Sequence, residues 1–368
     1  MFEDMVKSPA VWLSGKGEES AAVLSSRVRL ARNIAGCKYP PSADSETGTR
    51  IVNYVDSTVS RSDLLGRGRY VRAGDISPLD RDFLVERHLI SPAFLSGDLP
   101  KALYIGSQEQ VSIMVNEEDH LRIQALASGL DPRGAYAAAK QYDQEIGRHL
   151  EYDYDPDFGF LTACPTNVGT GMRVSAMLHL PGLVLAEQIN QVVQAVNKLG
   201  LAVRGLYGEG TEALGNIFQI SNQMTLGETE TVIVERLSKV VAQIIEHEEN
   251  ARGTLLEKKP KVVFNHIGRA YGILANAHSI SSKEAMNLLS LLRVGLDLGL
   301  FPGTARSLVD ELTILTQPAH LQSRYSEKLS AEERDIRRAD MMREALRTVN
   351  RPVIPPGTAE PLDKPPSA

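Results

Sequence analysis

The chain is poor in cysteine, in tryptophan, in long apolar runs and in clustered positive charge, and each shortage closes off a class of protein. Two cysteines among 368 residues, Cys37 and Cys164, make neither a disulfide framework nor a zinc knuckle and suggest a reducing compartment. No apolar run approaches the ~18 residues that span a bilayer. The start, Met-Phe-Glu-Asp-Met-Val-Lys-Ser, lacks the basic beginning and apolar core of a signal peptide. A cytoplasmic location without membrane attachment is expected. Lys and Arg number 40 against 46 Asp and Glu, for a net charge of -6, and the basic residues are dispersed. Without a phosphate-tracking surface, direct nucleic-acid binding is not expected.

Familiar nucleotide motifs are missing too. Gly15-Lys16 lacks the glycine five positions earlier that a phosphate loop requires, since Ala10 stands there. Gly66-Arg-Gly-Arg69 lacks the third glycine of a dinucleotide loop, with Val71 in its place. No zinc-ligand spacing occurs, and no metal held by side chains alone is expected. What remains is an ordinary globular composition, 42% apolar and 23% charged. A chain this long buries roughly 75% of its unfolded surface and favours two domains.

Periodicity supplies the elements. Ser25 to Arg32 alternates, with Val28 and Leu30 inward and Arg27 and Arg29 sharing the other face. Residues 45–65 carry a helical stripe of Ile51, Val52, Val55 and Val59. Helix and loop are expected over 79–95, and Val111, Ile113 and Val115 mark a half-buried strand. Helices are then expected over 121–127 and 134–150. Met172 to Leu180 is the clearest strand, with Arg173, Ser175, Met177 and His179 on the face opposite the apolar set. A helix over 186–199 ends at Gly200, and a glycine-punctuated loop at 205–215 leads to a strand at 216–220. Helix 231–248 reaches a boundary at 253–260. Beyond it the texture is wholly helical, with a capping box at Ser281-Ser-Lys-Glu284. Domains are thus expected at 1–252 and 260–349, before a disordered proline-rich tail at 350–368.

Val115-Asn-Glu-Glu-Asp-His-Leu-Arg122 gathers three carboxylates, a histidine and an arginine where the chain leaves a strand. It reads either as a helix start, with Glu118 and Arg122 paired at i,i+4, or as part of a site. Three further stretches favour the site: Ser25-Ser26-Arg27-Val28-Arg29, Cys164-Pro-Thr-Asn-Val-Gly-Thr-Gly-Met-Arg173, and Arg204-Gly-Leu-Tyr-Gly-Glu209-Gly-Thr-Glu212. Arg27, Arg29, Arg122, Arg173 and Arg204 stand at strand ends or turns. Converging guanidiniums grip phosphate in a two-pronged way and can hold a nucleoside triphosphate with Mg²⁺. Glu118 and Glu209 are candidates for holding a cationic acceptor and taking its proton.

In order and wording, these four stretches resemble the phosphagen kinases, the family of creatine and arginine kinases, over about residues 20–250. The resemblance implies an α+β catalytic domain whose antiparallel sheet is flanked by helices, followed here by a smaller all-α domain. It implies ATP contacts from Ser25, Ser26, Arg27, Val28 and Arg29, from Arg122, from Arg173, Val174, Ser175, Ala176 and Met177, and from Arg204, Gly205, Leu206, Tyr207, Gly208 and Glu209. His88 matches a histidine near the nucleotide. Glu118 becomes the base, Glu209 a second guanidinium ligand, and Cys164 a thiol or thiolate beside the guanidinium. Mg²⁺ would be bound through the nucleotide.

The departures point further. In phosphagen kinases the Ser-Arg-Val-Arg block follows a separate helical domain that closes over a small substrate, whereas here 24 residues precede it. Met177 and Gln219 also stand where small-substrate kinases usually have histidine and aspartate. An open site that admits a guanidinium on a protein surface is expected, as in the bacterial protein-arginine kinases. Arg334-Asp335-Ile336-Arg337-Arg338-Ala339 resembles that branch's phosphoarginine-sensing motif; the other reading is a salt-bridged helix face. The resemblance also implies an activator, McsA, a repressor substrate, CtsR, and the ClpC-ClpP protease, together with a stress-response role and a homodimer. Two rival readings stay open: a kinase of free arginine, and a non-catalytic phosphoarginine-binding regulator.

Overall fold

A computed structural model describes residues 2–6, 10–15, 17–205 and 213–353. The chain opens with helix α1 (Glu3–Val6), strand β1 (Val23–Arg32) and helix α2 (Ser45–Arg61). Strand β2 (Arg69–Arg72), helix α3 (Pro78–Glu86), and strands β3 (Ala102–Ile105), β4 (Val111–Val115) and β5 (Leu121–Ser128) follow. Next come α4 (Pro132–Gly147), β6 (Tyr154–Asp155), β7 (Gly159–Phe160), β8 (Met172–His179), α5 (Pro181–Leu185), α6 (Ile189–Lys198), β9 (Leu201–Gly205) and β10 (Ile217–Asn222). The rest is helical: α7 (Glu230–Lys258), α8 (Pro260–Asn276), α9 (Ser282–Asp297), α10 (Arg306–Leu315), α11 (Pro318–Gln322) and α12 (Ala331–Leu346). No described helix is long and apolar enough to cross a membrane.

Eight strands form one antiparallel sheet in the order β2-β3-β4-β5-β1-β8-β10-β9, the antiparallel sheet flanked by helices that the sequence implied. Its two faces have different fates because side chains alternate along each strand. Val28, Leu30, Ile123, Ala125, Val174, Ala176, Phe218 and Ile220 share a core with Ile51 of α2, Ala135 and Ala139 of α4, and Val234, Leu237 and Val241 of α7. The opposite face is apolar only towards its ends. At one, Leu103, Ile105 and Met114 meet Phe83, Leu89 and Ala319. At the other, Leu24, Leu126, Met177 and Ile217 meet Trp12, Met286 and Ile314. Between these caps the middle of the sheet stays open, and there the chain puts its arginines.

Several expectations give way. Residues 121–127 form β5 rather than a helix. Their alanines and leucines suit a helix, but Arg122 and Gln124 alternate with buried Leu121, Ile123 and Ala125, and the segment is sandwiched between β1 and β4. Tertiary pairing here overrides propensity. Asn116 to His120 is accordingly the turn of a β-hairpin, not a helix start: Asn116 adopts φ 59° and its N–H donates to His120 O at 2.9 Å. β4 is buried on both faces rather than one, because Ser112 Oγ donates to Leu89 O and Met114 lies under the Phe83 cluster. The helix expected over 186–199 is α6, which starts only at Ile189 because Glu187, at φ 60°, separates it from α5. Within the boundary expected at 253–260, α7 runs unbroken through Gly253 to Lys258, and the helix breaks only at Lys259 before α8. The tail from residue 354 lies outside the described residues.

The C-terminal helices dock on the sheet through buried polar groups as well as apolar ones. Arg293 of α9 donates to Ala21 O and Ser20 O at 2.6 Å each, to Asp310 at 2.7 Å, and to Nδ1 of His179 at 3.2 Å. His179, whose other ring nitrogen meets Ser290 Oγ at 2.8 Å, is the last residue of β8. Glu86 accepts hydrogen bonds from the N–H groups of Ala319 and His320, which begin α11.

Candidate active site

Strand register brings the arginines together. Arg29 stands opposite Arg173 on β8 and opposite Gln124 on β5; Arg27 stands opposite Ser175. Gln219 of β10 stands opposite Arg204 of β9. Ser175 is buried and does not line the cavity; the others line a cavity of about 300 Å³ with Arg122, His88, Ile90, Ser91, Met114 and Ser221. A second cavity of about 230 Å³ is lined by Glu118, Cys164, Thr166 and Asn167, and it shares Arg29, Arg122 and Arg173 with the first. These three guanidiniums therefore stand where a group passing from one cavity to the other must go.

The arrangement is unfavourable as it stands. Burial, and then the charges of Arg27, Arg122 and Arg173, hold the Arg29 guanidinium well below its ordinary pKa, with Glu117 opposing. Arg173 is lowered by burial and then by Arg204 and Arg122. The Nε atoms of Arg29 and Arg173 are buried without a hydrogen-bond partner. Buried like charges with unmet donors are what a polyanion relieves, so the residues present fit the phosphates of ATP.

Each side chain has its support. Glu117 accepts from Ser91 Oγ at 2.6 Å and from Arg122 at 2.8 Å, fixing the arginine. Glu118, its side chain 43% exposed, meets Arg122 at only 3.3 Å and lines the second cavity. Asn116 holds the turn by donating to Gly48 O at 3.0 Å and Pro100 O at 2.7 Å. Asp119 accepts from Asn33 and from the Ala163 N–H, both at 2.7 Å, tying the hairpin to the segment that presents Cys164. Cys164 Sγ lies 3.1 Å from Thr166 Oγ1. His88, at φ 60° and with burial pushing its pKa down to about 3, stacks edge-on to Trp12.

Not every expected residue lines the site. Val28, Val174 and Ala176 lie in the core on the far face of the sheet, because alternation turns every second side chain away. Met177 packs with Trp12 and Met286, and Ser26 is spent on Gly129 O and the Asp131 N–H. Ser25 is buried. Their side chains are withdrawn from the cavity, which corrects the reading of these two stretches as unbroken runs of contacts. Leu206, Tyr207, Gly208 and Glu209 lie outside the described residues; Gly205 lines the first cavity.

Glu117, Gln124, Asn167 and Ser91 were missed. Gln124 had a signal, two residues from Arg122 on a strand, which the helical reading of 121–127 concealed. Gln219, noted as a departure, accepts from Arg27 at 2.6 Å. A larger hollow of about 580 Å³ includes Arg72 and Lys101, but Lys101 is spent on the Phe94 and Ser96 carbonyls and Arg72 pairs with Asp56.

In the motif of α12, Arg338 is buried. It donates to Thr316 O and Ile280 O at 2.8 Å and pairs with Asp335. Arg334 donates to Leu329 O. Arg337 faces outward over the Tyr325 ring at 5.3 Å, beside Arg324 and Asp340 in an open groove. Ile336 is exposed and Ala339 buried.

A sheet that carries converging arginines over a nucleotide-sized cavity, next to a carboxylate and a thiol, defines a phosphotransferase of the guanidino-kinase class. The comparisons agree. A family model described as "ATP:guanido phosphotransferase, C-terminal catalytic domain" matches residues 50–251, and one described as "Protein-arginine kinase McsB C-terminal domain" matches 260–356. The solved structure of lombricine kinase is similar with a TM-score of 0.56 and 26% identity, covering 64% of this chain and 68% of that one. A protein-arginine kinase of Geobacillus sp. (strain WCH70) is 48% identical over 343 residues, 92% of this chain and 94% of that protein. Another, from Bacillus subtilis (strain 168), is 46% identical over 91% of this chain and 93% of its own length. The chain belongs to the protein-arginine kinase branch of the ATP:guanido phosphotransferases.

Proposed function

We propose that the chain transfers the γ-phosphoryl group of ATP to a guanidino nitrogen of arginine side chains in proteins. The observation that carries this is the pair of cavities sharing Arg29, Arg122 and Arg173, one sized for a nucleotide and the other holding Glu118 and Cys164. The triphosphate lies along the arginine row, with Mg²⁺, carried by the nucleotide, supplying charge neutralisation at the β- and γ-phosphates. The acceptor guanidinium has a pKa above ~12 and is a poor nucleophile until it loses a proton. Glu118 takes that proton as the N–P bond forms and the bond from γ-phosphorus to the bridging oxygen breaks, leaving ADP. The resemblance makes Glu209, which lies outside the described residues, a second ligand of the guanidinium, and Cys164 stabilises the cation without forming a covalent bond. The relatives' name supports a protein acceptor over free arginine, and the retained Glu118 and arginines support catalysis over a purely reading role.

The same resemblance supports a cytoplasmic enzyme of the bacterial stress response, acting as a homodimer with McsA as activator, CtsR as a substrate and ClpC-ClpP as the destination of marked proteins. Arg337 in its open groove is the side chain of the α12 motif placed to sense phosphoarginine.

Purified chain incubated with Mg²⁺ and ATP should place acid-labile phosphate on the arginines of casein and far less on free arginine, read by mass spectrometry under conditions that spare P–N bonds. Phosphate on free arginine alone would make it a small-substrate kinase, and no transfer to either would leave a reader.

A further inference from the structure

Four large apolar side chains stand in solvent around the loop that lines the acceptor cavity. Tyr154 and Phe158, on the β6–β7 hairpin, are 57% and 55% exposed; Met224 and Leu226, in the turn after β10, are 67% and 47% exposed. The segment between them is the one that presents Cys164. Phe160 and Gly169 exchange backbone hydrogen bonds at 2.8 and 3.2 Å, and Thr225 Oγ1 donates to Thr166 O at 3.2 Å and Val168 O at 2.6 Å. Gly169, at φ 110°, permits this closeness: a Cβ there would come within 2.5 Å of Thr225 O. Hairpin, Cys164 loop and turn are therefore one continuous rim.

The rim is held in shape. Asp155 accepts from the N–H groups of Asp157 at 2.8 Å and Phe158 at 3.0 Å, closing the hairpin tip. Its base is anchored by the Phe160 ring, 3.6 Å from the Arg32 guanidinium carbon. Tyr154 and Phe158 are thus presented outward on a fixed support, and apolar groups clustered on a surface mark contact with a partner. The rim is also of one sign: between Glu151 and Gly171 the chain holds Glu151, Asp153, Asp155 and Asp157 and no Lys, Arg or His.

Cys164, Thr166 and Asn167 belong to this rim and line the cavity, so the backbone flanking an arginine that enters there runs beside it. We propose that the acidic, aromatic β6–β7 hairpin together with Met224 and Leu226 is the docking surface for that flanking backbone. It selects extended segments with a large apolar or a basic side chain within a few residues of the acceptor arginine. This rests on the reading that the acceptor is a protein side chain. The negative rim complements a cationic segment, and the rings and Met224 take its apolar neighbours.

The test is steady-state kinetics of the full chain with Mg²⁺, ATP and three acceptors: a peptide with one central arginine flanked by Leu, Phe and Lys, a peptide of equal length flanked by Ser and Glu, and acetyl-arginine amide. The expected KM for the first peptide is lower than for the second by roughly tenfold or more, the worth of one buried large apolar side chain. In Phe158→Ser combined with Met224→Ser that difference should shrink severalfold, leaving the part that the acidic rim contributes. The KM for ATP, the rate with acetyl-arginine amide and the thermal unfolding midpoint should not change. Asp157→Lys should raise KM for the basic peptide and lower it for the acidic one. Equal KM values for both peptides in the unaltered chain, or a preference undiminished by the Phe158 and Met224 substitutions, overturns the docking surface and leaves the kinase reading intact. No transfer to any acceptor overturns both.

Discussion

Glu117 and Glu118 are neighbours in sequence and opposites in circumstance. Glu117 is held by Ser91 and Arg122 and serves as a strut; Glu118 is half out in solvent with one loose ion pair. Because general-base catalysis contributes roughly 10² to 10⁴-fold, Glu118→Gln should lower kcat by that much. ATP affinity, measured by calorimetric titration, should stay near its original value, and Cys164→Ala should be milder. Arg29 works the other way round. Its charge is repelled by its neighbours and by burial, so Arg29→Met should raise the thermal midpoint of the nucleotide-free protein. It should also weaken ATP binding by roughly 10 to 100-fold, the worth of a charge-assisted hydrogen bond or two.

His88 links the same cavity to pH. Its pKa is pushed down from 6.5 to about 3 by burial, so between those values the unfolded chain takes up a proton that the folded one refuses. Stability is untouched while both states are neutral and falls as pH drops below 6.5, by up to about 1.4 kcal/mol per pH unit. His88→Asn, which tolerates the positive φ, should flatten that slope in urea denaturation across the acidic range.

At the scale of elements, the β4–β5 hairpin sets the site, because its turn decides where Glu117, Glu118 and Arg122 stand. Asn116 is its hinge point, left-handed in backbone and doubly bonded in side chain. Asn116→Ala should cost about 3 kcal/mol, from backbone strain and two buried acceptors left unmet. Asn116→Gly, free of the strain, should cost less, and urea midpoints would separate the two. The sequence displayed β8 plainly, since Met172 to His179 alternates apolar and polar without exception in its first five residues. It hid β5, because Leu, Gln and Ala favour helix locally and the strand exists by pairing with β1, far away in sequence, as well as with its hairpin partner β4.

At the scale of the molecule, the helices from α8 onward are bound to the sheet by buried charge. Arg293 joins α9 to α10 through Asp310, to the residues before β1, and to the end of the strand that begins near Arg173. Burial and the Arg293 charge hold His179 neutral, which lets its Nδ1 accept from the guanidinium. Arg293→Met should cost roughly 3–5 kcal/mol, because Asp310 is left buried without its partner. Calorimetry should show the single unfolding transition broaden or divide as the C-terminal helices lose their tie.

The sequence by itself determined the chemistry on offer: which strands alternate, which segment is helical throughout, and the four stretches whose arginines, glutamates and cysteine mark a guanidino kinase. Those are local facts, written in side-chain type and spacing. Only the tertiary structure decided that Arg29, Arg122 and Arg173 form the wall between two cavities, that Glu117 is a strut while Glu118 is only loosely paired, and that Val28, Val174 and Ala176 turn away. Each of these depends on the register of β1 against β5 and β8. Register is fixed by burying one whole face of the sheet under α2, α4 and α7, a condition that no single stretch of the chain contains.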